Sequence, residues 1–426
     1  MSKIIRNLIK RETKRQQETL GMIPSENLVE PEILEALGSP FTNKYAEGFP
    51  GRRYYQGNQV VDELELYTQE QGLKAFNLSG ALSLEIPVKA EDIAKAKNLK
   101  NRWFINVQPL SGSPANAIIY LALVKPGDTI MGQKLSEGGH LTHGFPVNFS
   151  GIFYNSVQYG LDEKTGLIDY HEVERLAIKH KPKVIYSGTT AYSQIVDFKK
   201  FGKIAKKVGA YHVADVSHIA GLISAGVHPS PFPYADVVMA TTHKTMRGPR
   251  GAVIYSKGAE LASRINKATI PGFQGGPHEN NIAAMAIMFE KMQTRGFKNY
   301  ATQVVKNASV LASELKSYGF NLVSGGTKTH LILIDLKNKD ITGTSAALLL
   351  EQAGIICNKN TVPGDDKPFN PTGIRIGTPG LTSRGMKEKQ MKEVALFIHH
   401  LIDLKEPAEF VNKQVKSLCK KFPIKY

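Results

Sequence analysis

Residues 211–245 read YHVADVSHIAGLISAGVHPSPFPYADVVMATTHKT. Two short apolar runs, 211–214 and 236–240, have the length and Val/Ala content of buried strands. Each run is followed at once by residues able to do chemistry. Asp215, Ser217 and His218 follow the first, and Thr241-Thr242-His243-Lys244-Thr245 follows the second. Outward from this stretch, similar runs at 104–107, 129–131, 184–187 and 252–255 alternate with helical patterns at 115–124, 170–180 and 199–208. Strands separated by helix-length segments predict an α/β fold with a largely parallel sheet covered on both faces. In such sheets ligands bind beyond the carboxyl ends of the strands, where Asp215 and Lys244 fall.

A chain of 426 residues exceeds one core of usual size, so two domains are expected. After the Pro/Gly-rich stretch 271–277 the pattern changes to helices at 282–291 and 300–318, a strand at 331–336 and a closing helix at 386–404. The expected division is an N-terminal arm at 1–20, a large domain at 21–280 and a smaller α/β domain at 281–426. No apolar run is long enough to cross a bilayer, and the basic segment 1–14 lacks the apolar stretch of a secretory signal. A cytoplasmic protein with no membrane partner is expected. With Cys357 and Cys419 alone, neither a disulfide framework nor a metal cluster is expected. The net charge of +16 is compatible with nucleic acid or an acidic small molecule. Its lysines, such as Lys199, Lys200, Lys203, Lys206 and Lys207, read as a solvated helix face, and no RNA-binding signature or Cys/His finger accompanies them.

A lysine at a strand's carboxyl end beside cationic neighbours can have its pKa lowered enough to form a Schiff base. Taken alone, Lys244 is equally a surface lysine on a turn. Ser111-Gly112-Ser113 follows a strand and precedes a helix opening at Pro114, so it sits where a helix N-terminus receives a phosphate. Alone it is a turn. Asp215 can hold a pyridine nitrogen protonated so that the ring acts as an electron sink, or it can simply cap a helix. His140, in Gly138-Gly139-His140-Leu141-Thr142-His143, can stack on a ring. Arg375, in Gly373-Ile374-Arg375-Ile376-Gly377-Thr378-Pro379, can grip a carboxylate through paired hydrogen bonds or form a structural ion pair. The loop 43–55 around Glu47 has neither helix nor strand periodicity, which marks it as a functional loop.

Taken together, these segments make the chain resemble the serine hydroxymethyltransferase family along nearly its whole length. The resemblance rests on Pro24-Ser25-Glu26-Asn27, Thr42-Asn43-Lys44-Tyr45-Ala46-Glu47-Gly48, Arg53-Tyr54-Tyr55 and Asn106-Val107-Gln108-Pro109 with Ser111-Gly112-Ser113. It continues through Gly138 to Gly144, Asp215, His218, Thr242-His243-Lys244-Thr245, Gln274-Gly275-Gly276-Pro277 and Arg375 to Pro379. It implies a fold-type I pyridoxal 5'-phosphate (PLP) enzyme: a large domain with a mostly parallel seven-stranded sheet, and a smaller C-terminal α/β domain. It also implies that Lys244 carries PLP covalently, Asp215 pairs with the pyridine nitrogen, His140 stacks on the ring and His218 sits near the phenolic oxygen. Ser111, Gly112, Ser113, Thr190 and His243 would complete the cofactor site, with Thr241 among the catalytic group. Gly275 would also contact the cofactor, and Tyr55, Glu47 and Gly276 would come from a neighbouring subunit, so at least a homodimer is implied, and a tetramer is compatible. Arg375, Ser25, Tyr55 and Glu47 would hold the amino acid, with Glu47 as the proton-transfer group. Tyr54, Leu135, Leu141 and Asn360, with Glu47, would lie near the folate. The implied reaction transfers the hydroxymethyl carbon of L-serine to tetrahydrofolate, giving glycine and 5,10-methylenetetrahydrofolate, with no metal.

The sequence departs from the family's pattern in several places. Glu137 stands where a histidine is usual, Thr190 where a serine is usual and Ser217 where an alanine is usual. The chain between Tyr55 and Ser111 is also longer than usual, an insert at about 79–100. Alternation at 82–88 with Pro87 predicts an edge strand, and 91–99 a short helix. The insert is expected to lie a strand's length from the cofactor, so that replacing Gly80 to Asn98 by a short linker leaves catalysis largely unchanged. Glu137 keeps open a folate-independent aldolase acting on threonine or other 3-hydroxy amino acids. The basic charge alone suggests a nucleic-acid binder, for which polyglutamylated folate is a sufficient substitute.

Overall fold

The computed structural model describes residues 1–365 and 371–425. Its largest sheet contains β1 (Trp103–Asn106), β2 (Thr129–Gln133), β3 (Asn155–Tyr159), β4 (Val184–Gly188), β5 (Tyr211–Asp215), β6 (Val237–Thr241) and β7 (Ala252–Lys257). The seven strands lie in the order β1-β7-β6-β5-β4-β2-β3. From β6 to β3 all neighbours are parallel, whereas β7 runs antiparallel to both β6 and β1. Every residue of β4 and β6 is buried, as strands covered on both faces must be.

The covering helices start and stop on short-range signals. Asp169 Oδ1 accepts from the N–H groups of His171 and Glu172 at 2.9 and 3.2 Å, opening the helix Tyr170–His180. Asp197 does the same for Phe198–Val208, which ends where Gly209 adopts φ +71°. The parallel strands therefore all point their carboxyl ends to one edge of the sheet, where β5 and β6 deliver Asp215 and the Lys244 turn.

A second sheet, antiparallel, contains β8 (Asn321–Leu322), β9 (Leu331–Asp335), β10 (Asn358–Asn360) and β11 (Gly373–Gly377) in the order β8-β9-β11-β10. The helices Gly343–Gln352, Glu388–Ile402 and Ala408–Lys421 bury apolar side chains in its core. The expected boundary at 280/281 lies too early. Helix Glu279–Met292 packs into the large-domain core, and so do Phe297, Tyr300, Ala301 and Val304 of the helix Arg295–Ser317. Leu311, Ala312 and Leu315 of that same helix belong to the small-domain core, so the changeover occurs inside one continuous helix. The N-terminal helix Lys3–Glu18 buries no residue, whereas Leu20 and Met22 enter the small-domain core and Leu20–Gly21 pairs in parallel with Ile355–Ile356.

The insert does not form the expected edge strand. Gly80 makes one parallel bridge to Trp103 of β1, after which Ser83–Glu85 turns as a 3-10 helix, with Glu85 Oε1 accepting from Leu82 N–H at 2.8 Å. Pro87 has no N–H to offer a ladder, and Ser83 N–H goes instead to Gln69 Oε1 at 2.9 Å. Ala81, Ile86 and Leu99 pack with Phe104, Ala259 and Ala262 in a small separate core. The helical reading is closer, with a helix at Ala90–Lys95 and a 3-10 turn at Lys97–Leu99. Among the described residues no helix is long and apolar enough to cross a membrane.

Candidate active site

Lys244 lies in the turn after β6, half-buried, with its carbonyl accepting from Asn27 Nδ2 at 2.8 Å. It shares a small enclosed cavity with Gly112, His140, Thr190, Asp215, His218 and Thr241. Six of the expected residues thus converge with it from separate elements. Burial lowers the Lys244 pKa to about 8, with Asp215 opposing that shift and Arg375 and Arg250 reinforcing it. A fraction of the side chain is therefore a free amine near neutral pH, as a nucleophilic lysine requires.

Asp215 terminates β5 and is 8 % exposed. Its Oδ2 accepts from His143 Nε2 at 3.2 Å and Asn116 Nδ2 at 3.1 Å, and its Oδ1 from Ser217 Oγ at 2.6 Å and Ser217 N–H at 3.1 Å. Burial pushes this carboxyl up, but the His143 hydrogen bond and the charges around it outweigh burial and hold it well below the carboxylate range. His143, Asn116 and the hydroxyl of Ser217 were given no role by sequence reasoning. For His143 a usable signal existed, since it lies in the same segment as His140; Asn116 is one polar residue inside a helix. Where the family usually has alanine, Ser217 adds a donor to Asp215 and accepts from Thr241 N–H at 3.1 Å, tying the ends of β5 and β6 together.

Burial shifts His140, His218 and His330 toward the neutral form. Burial lowers the pKa of His140 to about 4, with His143 adding to it, and lowers that of His330 to about 3. His218 is held well below its ordinary value by burial and by Lys244, with its Nδ1 3.3 Å from His330 Nε2. His140 Nδ1 accepts from Thr142 N–H at 3.2 Å.

The helix Gly112–Leu123 begins two residues before the expected Pro114, with Ser111 as a cap whose hydroxyl makes no capping bond. Its first N–H groups lack intrahelical partners and suit an anion. A methyl at Gly112 would lie 2.7 Å from Thr241 Cγ2, so the missing side chain lets the helix start approach β6. Thr241 Oγ1 and His243 Nδ1 are buried without a hydrogen-bond partner among the described residues. A helix start, orphaned polar atoms, an ionised carboxylate and a depressed lysine fit a phosphorylated pyridine aldehyde such as PLP.

Arg375, on β11, is 9 % exposed and donates through Nη1 to the Thr190 carbonyl and through Nε to Asn358 Oδ1 at 3.1 Å. Burial lowers its pKa to about 10, and it remains a cation. Thr190 in turn donates from Oγ1 to the Gly139 carbonyl at 2.9 Å. Thr190 also borders a second cavity of about 440 Å³, lined by Leu135, Asn360, Lys134 and Lys359 among others. Leu141 is 45 % exposed and does not line it. Glu137 does not line it either: its carboxylate accepts from Leu161 N–H and pairs with Lys134 at 3.1 Å.

None of the remaining expected residues lines the Lys244 cavity. Ser25 and His243 border a different cavity of about 380 Å³ together with Arg250. Glu47, Tyr54, Tyr55, Gly275 and Gly276 line neither the Lys244 cavity nor the Leu135 cavity. They gather elsewhere: Tyr45 Oη is 3.1 Å from Glu47 Oε1, and Tyr55 meets Tyr45 and Tyr54 edge-on at 5.3 and 5.1 Å. A methyl at Gly275 would lie 3.1 Å from Glu47 Oε1, and one at Gly276 would lie 3.3 Å from the Tyr45 ring. Tyr45, Tyr54 and Tyr55 are 56, 77 and 42 % exposed, an aromatic cluster facing outward. Residues 1–92 and 85–398 match the family model described as Serine hydroxymethyltransferase, and the two matched stretches meet inside the 79–100 insert.

Proposed function

The chain belongs to the serine hydroxymethyltransferase family of PLP-dependent enzymes, and from that premise we propose that it moves the hydroxymethyl carbon of L-serine to tetrahydrofolate. The products are glycine and 5,10-methylenetetrahydrofolate. The observation that carries this reading is the position of Thr190, which borders both the Lys244–Asp215 cavity and the adjoining cavity lined by Leu135 and Asn360. Serine and folate would meet across it.

When bound, PLP supplies an electron sink for the pair released as the Cα–Cβ bond of serine breaks. Lys244 holds the cofactor through its depressed amine. Asp215, kept ionised by His143, Asn116 and Ser217, anchors a proton at the ring nitrogen. Arg375 grips the serine carboxylate, its planar fork already oriented by Thr190 and Asn358. His140, neutral through burial, would stack on the ring, and His218, likewise neutral, would sit near its phenolic oxygen. Ser111 and Ser113, at the start of the helix Gly112–Leu123, and His243 would hold the phosphate.

Glu47 serves in proton transfer and Tyr55 in substrate binding, and both act in a neighbouring subunit. Their outward-facing cluster, set apart from the chain's own Lys244, supports a homodimer with shared sites. The aldolase reading draws on Glu137 standing where a histidine is usual; that carboxylate accepts from Leu161 N–H and pairs with Lys134, and folate dependence is what separates the two readings. Serine cleavage measured with and without tetrahydrofolate tests the proposal, and cleavage indifferent to folate would reinstate the aldolase.

A further inference from the structure

The loop carrying Glu47 runs into a hairpin formed by Gly48–Phe49 and Arg52–Arg53. A hairpin of two residue pairs is not stable by itself, so its shape depends on what holds it. On the inner side Arg53 Nη1 donates to the carbonyls of Ala46 and Gly48, each at 2.9 Å, bracketing Glu47, while its other nitrogens pair with Asp62 and Glu65. The Glu47 carbonyl accepts from Tyr54 N–H at 2.9 Å, so Glu47 extends the hairpin's own ladder.

On the outer side the hairpin rests on the insert. Arg52 Nη2 donates to the Ile86 carbonyl at 2.7 Å and reaches the Ser83 carbonyl at 3.4 Å. A methyl at Gly51, in the tip, would lie 2.9 Å from Leu84 Cδ2. The insert is itself fixed: Ile86 is 4 % exposed in the small core with Phe104 and Ala262, and Ser83 N–H is held by Gln69. Contact with the hairpin brings the insert to the loop that carries Glu47, a neighbour that its expected remoteness from the cofactor did not include.

We infer that the 79–100 insert is a brace that fixes the hairpin and thereby the placement of Glu47, with Arg52 as the positioning residue between them. The catalytic consequence rests on Glu47 being the proton-transfer group. The mechanical part does not.

The test uses the PLP-loaded full-length enzyme with Arg52→Ala, Arg52→Lys, Glu47→Gln and the double variant. Arg52→Ala lowers kcat roughly three- to tenfold, with serine KM within about twofold, because a displaced catalytic group loses rate before it loses binding. Arg52→Lys recovers most of the loss. In the Glu47→Gln background Arg52→Ala has no further effect, whereas a general structural role would make the two losses multiply. Hydrogen exchange at the Tyr54 amide is faster in Arg52→Ala than in the parent. Parental kcat in Arg52→Ala, or the same fold-loss with and without Glu47, overturns the catalytic consequence. Parental exchange at Tyr54 overturns the brace itself. Parental kcat in Glu47→Gln would instead refute the role of Glu47, and the exchange rate would still decide the brace.

Discussion

His143 Nε2 donates to Asp215 Oδ2 at 3.2 Å in a pocket where the two residues are 1 and 8 % exposed. This contact joins the segment carrying His140 to the end of β5, and it keeps a buried carboxylate ionised. A carboxylate held well below its ordinary range stays charged at every working pH. Asp215→Asn should therefore lower turnover by about two orders of magnitude and weaken PLP retention, since the ring nitrogen loses its counter-charge. Ser217→Ala removes one of the donors and should cost only about two- to fivefold. Cofactor content by absorbance and kcat on serine check both. Equal losses in the two variants would contradict the ranking.

Lys244→Ala should abolish turnover while leaving the fold intact. The pKa of about 8 adds a pH signature, because only the free amine attacks an aldehyde. The rate of PLP capture by the cofactor-free protein should rise with pH up to about 8 and flatten above it. Stopped-flow absorbance across pH 6 to 9.5 measures this, and a rate independent of pH in that range would remove Lys244 as the attacking group.

Arg375→Lys keeps the charge but loses the planar fork and the bonds to Thr190 and Asn358. Glycine and serine binding should weaken by roughly ten- to a hundredfold while PLP retention barely changes. Titration of the bound cofactor's absorbance with glycine gives the affinity. Unaltered glycine affinity would take Arg375 out of the substrate site.

These sites were legible in the sequence to the extent that they sit at strand ends. β4 to β7 are apolar runs bounded by Gly, Asp or polar turns, so Asp215 and Lys244 could be placed to within a residue. Asn155–Tyr159 was missed because NSVQY at a sheet edge carries no apolar run. The helix Ala408–Lys421 was missed although Val411, Val415 and Leu418 recur at helical spacing among lysines. The alternation at 82–88 was misread, because a pattern of side chains cannot show whether a neighbouring strand is available to pair with it. The domain boundary was misplaced because the helix Arg295–Ser317 serves both cores without any change in composition. Asn116 acquires its role only through a contact with β5 that no local pattern encodes, whereas His143 lies in the same segment as His140 and only its bond to Asp215 was out of reach.

Beneath the hairpin, Glu279 is 1 % exposed, and burial together with the nearby Glu65 raises its carboxyl to about 9 while Arg53 opposes the shift. The folded state thus keeps a proton that the unfolded chain gives up near its ordinary value of 4.5. Stability must fall as pH rises through this window. Glu279→Gln should flatten that fall and raise Tm at pH 8 relative to the parent, with Arg53, Asp62 and Glu65 unchanged. Tm measured from pH 5 to 9 tests it, and a variant less stable than the parent at pH 8 with an unchanged slope would contradict the assignment.

The most direct test of the central claim is the rate of glycine formation from L-serine by the PLP-loaded enzyme, measured with and without tetrahydrofolate and repeated with Lys244→Ala. The account predicts that folate accelerates glycine formation by at least about a hundredfold and that the lysine variant shows no turnover under either condition. Glycine formed at the same rate without folate, or turnover persisting at the parental rate without Lys244, would contradict it.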